Sequence, residues 1–127
     1  MPHIIIDYSA NLDAAIDMAA LCGHLREIAC AHEAFAAAGV RVRAIAADHW
    51  SIADGNPAHG YIDVSVRLRG GRPDAVKQDA TNALFEAARD YLAAYMAENP
   101  LALSFEMRDI DPALSPKTGT IRDYLET

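Results

Sequence analysis

Hydrophobic and polar positions alternate most regularly from Tyr61 to Arg69, where Ile62, Val64, Val66 and Leu68 interleave with Asp63, Ser65, Arg67 and Arg69. A two-residue period belongs to a pleated strand with one buried face. Leu101 to Ile110 repeats it, setting Leu103, Phe105 and Met107 against Ser104, Glu106 and Arg108. The β-branched run from His3 to Tyr8 predicts the first strand. Val40 to Ala46 predicts the second, with Arg41 and Arg43 on one face and Val42 and Ala44 on the other.

Between the strands the period lengthens to that of a helix. Leu12, Ile16, Ala20, Leu25, Ile28 and Phe35 place an alanine-rich helix between about Leu12 and Ala38, with Ser9, Asn11 and Asp13 as candidate N-caps. Gly23 interrupts that pattern, His32 to Ala38 reads as a separate turn, and Gly39 reads as a C-cap glycine. The second helix carries Val76, Ala80, Leu84, Ala87, Tyr91, Leu92 and Tyr95 as its apolar stripe. Pro73 lies in its first turn and Asn99-Pro100 ends it.

The order is therefore β-α-β, loop, β-α-β, over a single domain of residues 1–127. Its halves span about 1–50 and 60–110, divided by the turn-rich stretch Asp48 to Gly60. A short tail holds Pro112, Pro116 and a brief helical turn around Ile121 to Leu125. The fold class is α+β: two β-α-β units with right-handed crossovers forming a four-stranded sheet, both helices on one face. The other face then carries Asp7, Arg43, Asp63, Arg67, Glu106 and Arg108, mixed with Ile5, Ser65 and Tyr61. Such a face is either solvated, with cross-strand ion pairs, or buried in an oligomer where opposite charges must pair.

Composition narrows the function. The 127 residues carry 18 acidic and 11 basic side chains, a net charge of −7 that disfavours phosphate backbones and hence nucleic acid. Cys22 and Cys30 fall on one predicted helix, about 12 Å apart by helical rise, too far for a disulfide. No apolar run approaches the ~20 residues of a membrane span. No secretory signal opens the chain, and a cytoplasmic protein is expected.

Against this acidity the basic residues cluster. Arg41, Arg43, Arg67, Arg69 and Arg72 lie on predicted strands or on the Gly70-Gly71-Arg72 turn before the second helix. A glycine turn, free N–H groups at a helix start and a planar guanidinium suit a carboxylate or phosphate, although a tight turn with solvated arginines has the same sequence. No Walker lysine follows, which argues against a nucleotide. Pro2 follows the initiator Met1, and removal of Met1 would expose a secondary amine able to shuttle protons, unless proline merely begins a strand. The histidines lack the convergent ligand spacing of a metal site, so no metal is expected. Trp50 is read as core or pocket wall and is carried as a candidate substrate contact, beside Arg43.

These pieces resemble a known family. Pro2 at the first strand, Gly39-Val40-Arg41-Val42-Arg43, Ala53-Asp54-Gly55, Gly71-Arg72 and Leu101-Ala102-Leu103-Ser104-Phe105-Glu106 together resemble the 5-carboxymethyl-2-hydroxymuconate isomerase family of the tautomerase superfamily. The resemblance implies homotrimers with sheets around a central axis and active sites at subunit boundaries. It implies Pro2 as proton shuttle and Arg41 and Arg72 as residues that bind and polarise substrate, with Arg43 matching in position. The implied reaction is a cofactor-free isomerisation of a polycarboxylate dienol from homoprotocatechuate meta-cleavage to its 2-oxo-3-ene isomer. A proline tautomerase acting on another enol, such as an arylpyruvate or a shorter muconate, and a non-catalytic ligand-binding α+β module are the alternatives.

Overall fold

The structure, a computed structural model, describes residues 1–126. Four strands and two helices alternate as expected: β1 (His3–Ser9), α1 (Met18–Ala31), β2 (Arg41–Ala47), β3 (Gly60–Arg69), α2 (Asp74–Glu98) and β4 (Leu101–Ile110). The sheet order is β2-β1-β3-β4. Each β-α-β half supplies a parallel pair, and the halves join through antiparallel β1 and β3 at the centre. Strand alternation turns Ile4, Ile6, Ile62, Val64, Val66 and Leu68 to the helix side, where all are buried. Leu21 and Leu25 of α1 and Leu84 and Leu92 of α2 close that core from above. The two helices are also tied directly: the Tyr91 hydroxyl donates to the Asp17 carbonyl at 2.8 Å, and His32 Nε2 meets Asp79 at 2.7 Å.

The first helix is shorter than its periodicity suggests. Leu12 is buried on a 3-10 turn, Ala10–Ala14, and α1 begins only at Met18, where the Asp17 carboxylate accepts from the Ala20 N–H at 3.0 Å. None of Ser9, Asn11 or Asp13 caps it. Gly23 lies inside α1 without interrupting it, and a Cβ there would meet nothing within 4 Å. The helix ends at His32, whose backbone is extended and whose Nδ1 accepts from Ala34 N–H. Gly39 is consequently no C-cap of α1; it closes the 3-10 turn Ala37–Gly39 just before β2.

The open sheet face also differs from a lattice of cross-strand ion pairs. Register sets like beside like: Arg41, His3, Arg67 and Arg108 form one row across all four strands, and Asp7 faces Asp63 in another. The acids are served by hydroxyls instead, Tyr61 donating to Asp7 and Ser104 to Asp63, each at 2.7 Å. Glu106 pairs with Arg108 of its own strand at 2.7 Å. The cationic row lies at the end of the sheet where β1 and β2 begin and β3 finishes. Trp50 is half-buried in the loop after β2 and stands outside the core.

Candidate active site

Three chain segments meet at that cationic end. The start of β1 brings Met1 and Pro2, the start of β2 brings Gly39 and Arg41, and the end of β3 with its following turn brings Leu68, Arg69 and Arg72. The tail crosses over them with Lys117 to Gly119, Ile121 and Arg122, leaving a cleft of about 460 Å³. Pro2 is buried on the helix side of the sheet, and its carbonyl accepts from the Arg41 N–H at 3.3 Å, the first rung between β1 and β2. Arg41 reaches back along this rung until its Nη2 stands 3.8 Å from Met1 Sδ.

Arg72 is held by the turn that carries it. Gly71 takes a φ of +106°, a conformation unfavourable to side-chain-bearing residues, and this lets the chain reverse before α2. The Gly70 N–H donates to the Ile110 carbonyl at 3.0 Å, fixing the turn to β4. Arg72 Nη1 then donates to the Arg69 carbonyl at 2.8 Å, so the guanidinium keeps most of its five donors free while its position is set.

Charge is concentrated here. Arg41, Arg69, Arg72, Lys117 and Arg122 line the cleft, and no aspartate or glutamate does. None of the five makes an ion pair among the described residues. In a chain with more acids than bases, uncompensated cations in a concave site attract a small polyanion. The same field acts on the amino terminus. Burial pushes the Met1 amine below its ordinary value, and the charges of Lys117, Arg41 and Arg72 push it further in the same direction. His3, on the other face, has its imidazole pKa lowered chiefly by burial and then by Arg67, Arg41 and Arg43.

Of the residues singled out in the sequence, the structure thus brings Pro2, Arg41 and Arg72 to one cleft. Arg43 does not line it; that side chain is exposed on the open sheet face, its Nη1 3.2 Å from His3 Nδ1. Trp50 is likewise absent from the cleft wall. Lys117 and Arg122 were not among the residues the sequence pointed to. They sit in a tail without periodicity, and only their positive charge in an acidic chain could have flagged them. Among the described residues no group of three His, Cys, Asp or Glu side chains is placed to hold a metal ion, and no helix is long and apolar enough to cross a membrane.

Comparison with known proteins adds an independent line. Residues 2–125 match the family model described as 5-carboxymethyl-2-hydroxymuconate isomerase. The 5-carboxymethyl-2-hydroxymuconate Delta-isomerase of Escherichia coli is 31% identical over 121 residues, covering 95% of this chain and 96% of that protein. A crystal structure of 5-carboxymethyl-2-hydroxymuconate delta-isomerase superposes with a TM-score of 0.90 at 30% identity, over 100% of this chain and 94% of the other. The corresponding isomerase from Deinococcus radiodurans R1 gives 0.89 at 27% identity, over 98% and 95%. A fused 4-OT symmetric trimer, at 17% identity and a TM-score of 0.64 over 87% and 88%, shares the fold.

Proposed function

The chain belongs to the 5-carboxymethyl-2-hydroxymuconate isomerase family, and we propose that it converts that dienol to its 2-oxo-3-ene isomer by proton transfer through the amine of Pro2. The observation that carries this reading is the meeting of Pro2, Arg41 and Arg72 in one acid-free cleft. While Met1 is present, the Pro2 nitrogen is an amide and cannot take up a proton. Removal of Met1 turns it into a secondary amine in the same cationic surroundings. Those surroundings disfavour the charged form and so lower the pKa, as they do for the Met1 amine, where burial acts first and the charges of Lys117, Arg41 and Arg72 add to it.

The reaction then needs one base and two charge partners. The neutral amine takes the proton of the 2-hydroxyl group, and negative charge develops on the 2-oxygen and spreads along the diene. A guanidinium stabilises that charge and the adjacent carboxylate. The second guanidinium holds a distant carboxylate and so fixes the substrate along the cleft. The prolyl ammonium returns its proton at C5, which leaves the C=C bond at position 3 and a carbonyl at position 2. Atoms balance within the substrate, so no cofactor is required.

The functional unit of this reading is a homotrimer whose copies meet through the open sheet face, with each cleft at a subunit boundary. Support comes from that face itself, which leaves Ile45 53% exposed on an edge strand, in the register row of Asp7. The setting of this reading is the cytoplasm, in homoprotocatechuate meta-cleavage. Ultraviolet monitoring of purified, Met1-free protein with the dienol tests the reading. Loss of dienol absorbance with formation of the enone at an enzymic rate is expected, and no acceleration over buffer would overturn it.

A further inference from the structure

The tail contributes a cation that the reaction outlined above does not use. Segment 115–119 has no regular structure and runs between the 3-10 turns Pro112–Leu114 and Ile121–Tyr124. It lies across the end of the sheet and places Lys117 on the wall of the cleft that holds Pro2, Arg41 and Arg72. Lys117 also lines a second cleft, of about 410 Å³, on the open side of the sheet beside His3, Arg67 and Arg69. The two clefts share Met1, Arg41, Arg69, Lys117 and Thr118, so this lysine stands on the partition between them. No carboxylate lies within ion-pair distance of its ammonium among the described residues. It is the foremost charge acting on the amino terminus, ahead of Arg41 and Arg72.

We propose that Lys117 binds the third carboxylate of the substrate and thereby makes the tail the determinant of preference for tricarboxylates over dicarboxylates. This deepens the isomerase reading and rests on it. A muconate has two carboxylates, one at each end, and Arg41 and Arg72 provide one guanidinium for each. The carboxymethyl branch adds a third near the carbon that receives the proton. That carbon must lie against Pro2, so the branch projects from the cleft at the amino terminus. Lys117, unpaired among the described residues, lines both clefts beside Met1 and so stands at that point. A flexible four-carbon stem with a compact ammonium suits a branch that rotates about a single bond, whereas the planar ends of the diene suit arginine.

Two measurements on Lys117→Met and Lys117→Arg test this, with Arg26→Gln, on the exposed face of α1, as a charge-matched control. In turnover, Lys117→Met should raise KM for the branched dienol on the order of tenfold, the weight of one charge-assisted hydrogen bond. KM for unbranched 2-hydroxymuconate should stay within about twofold, and Lys117→Arg should restore most of the loss. In calorimetry, which needs no catalysis, propane-1,2,3-tricarboxylate should bind the Met variant about tenfold more weakly than the parent while pentanedioate binding barely changes. Equal weakening for two and three carboxylates, or none, overturns the assignment. A parent protein that turns over neither dienol but shows the calorimetric selectivity would remove the isomerase reading and keep the lysine's role in binding.

Discussion

A Cβ atom built on Gly39 would stand 3.2 Å from Cδ of Pro2 and 3.6 Å from Cα of Met1. The glycine is therefore the floor against which the proline ring rests. Its φ is not in the left-handed region, so alanine there is strained by the contact and not by its own backbone. Gly39→Ala should fold normally and displace the ring by a few tenths of an ångström. Because a 1 Å misplacement can cost about a hundredfold, a loss of several-fold in kcat is expected, larger for Gly39→Val. Steady-state kinetics beside circular dichroism will check it; unchanged kcat in both variants would show that the ring position is not critical.

Arg72 and Arg41 should differ in what lysine can replace. Truncation of either to alanine is expected to lower kcat/KM about tenfold to a hundredfold, the range of a lost charge-assisted contact. Arg72 also donates to the Arg69 carbonyl. An ammonium on a shorter, non-planar head cannot make that bond and face a carboxylate with a parallel pair of donors. Arg72→Lys should thus behave nearly like Arg72→Ala. The kinetics of these three variants decide the point, and full activity in Arg72→Lys would mean that charge alone suffices.

Tyr8 offers a test of the fold apart from the site. Its hydroxyl, buried at the end of β1, donates to Asp13 at 2.7 Å. That bond, with burial and the carboxylate's charge behind it, has the phenol pKa pushed up to about 12 from its usual value near 10. A raised pKa means the protonated phenol is favoured in the folded state. Its contribution is complete below pH ~10 and is lost as pH rises toward ~12. Melting temperature should therefore fall over that interval, less steeply in Tyr8→Phe, which starts lower. Parallel curves for the two proteins would show that other groups govern the alkaline transition.

How far the residues alone disclose this molecule depends on the physics behind each feature. The alternation of Tyr61 to Arg69 shows β3 plainly, because one face is buried and the other is not, and the sheet preserves that contrast along the whole strand. The extent of α1 was hidden because Leu12 serves the core from a 3-10 turn at a spacing that also fits a helix. Asp17, the residue that caps α1, is indistinguishable in sequence from the other acids nearby, since capping depends on where the backbone turns helical. Gly39 was legible as a breaker, but its closeness to Pro2 is a contact between segments 37 residues apart in numbering. Pro2, Arg41 and Arg72 could be named from motif and charge. Lys117 could not, since nothing in Ser115-Pro116-Lys117-Thr118-Gly119 announces that the tail folds back over the sheet.

The open sheet face should govern assembly. Light scattering at micromolar concentration is expected to give about three times the chain mass of 13.7 kDa. Ile45, exposed on edge strand β2 in the register row of Asp7, provides the perturbation. Ile45→Lys replaces an apolar contact by a charge that must be desolvated on assembly, so it should shift the protein toward monomer. A monomeric parent would remove the shared-site arrangement.

The proline mechanism turns on the state of one nitrogen. If the amine of Pro2 carries the proton, protein that keeps Met1 must be nearly inactive, because its Pro2 nitrogen is an amide. Met1-free protein should gain activity as pH rises, since only the neutral amine accepts a proton. The apparent pKa should lie below the ordinary α-amino value of ~8, because Lys117, Arg41 and Arg72 disfavour the charged form at this site. Removing one of these cations should move that limb upward, and Lys117→Met provides the case with the least disturbance of the sheet. Added salt should move it upward as well, since screening weakens the same repulsion. His3 is not an equivalent base: it lines the cleft on the opposite side of the sheet, and Pro2 faces the helices. Pro2→Ala retains a terminal amine, primary and more mobile, and should keep partial activity with a shifted pH profile. Intact mass establishes which form is present, and pH–rate profiles of the two forms complete the comparison. Full activity with Met1 retained would sink the mechanism, and an unshifted limb in Lys117→Met would separate the amine from its cationic surroundings.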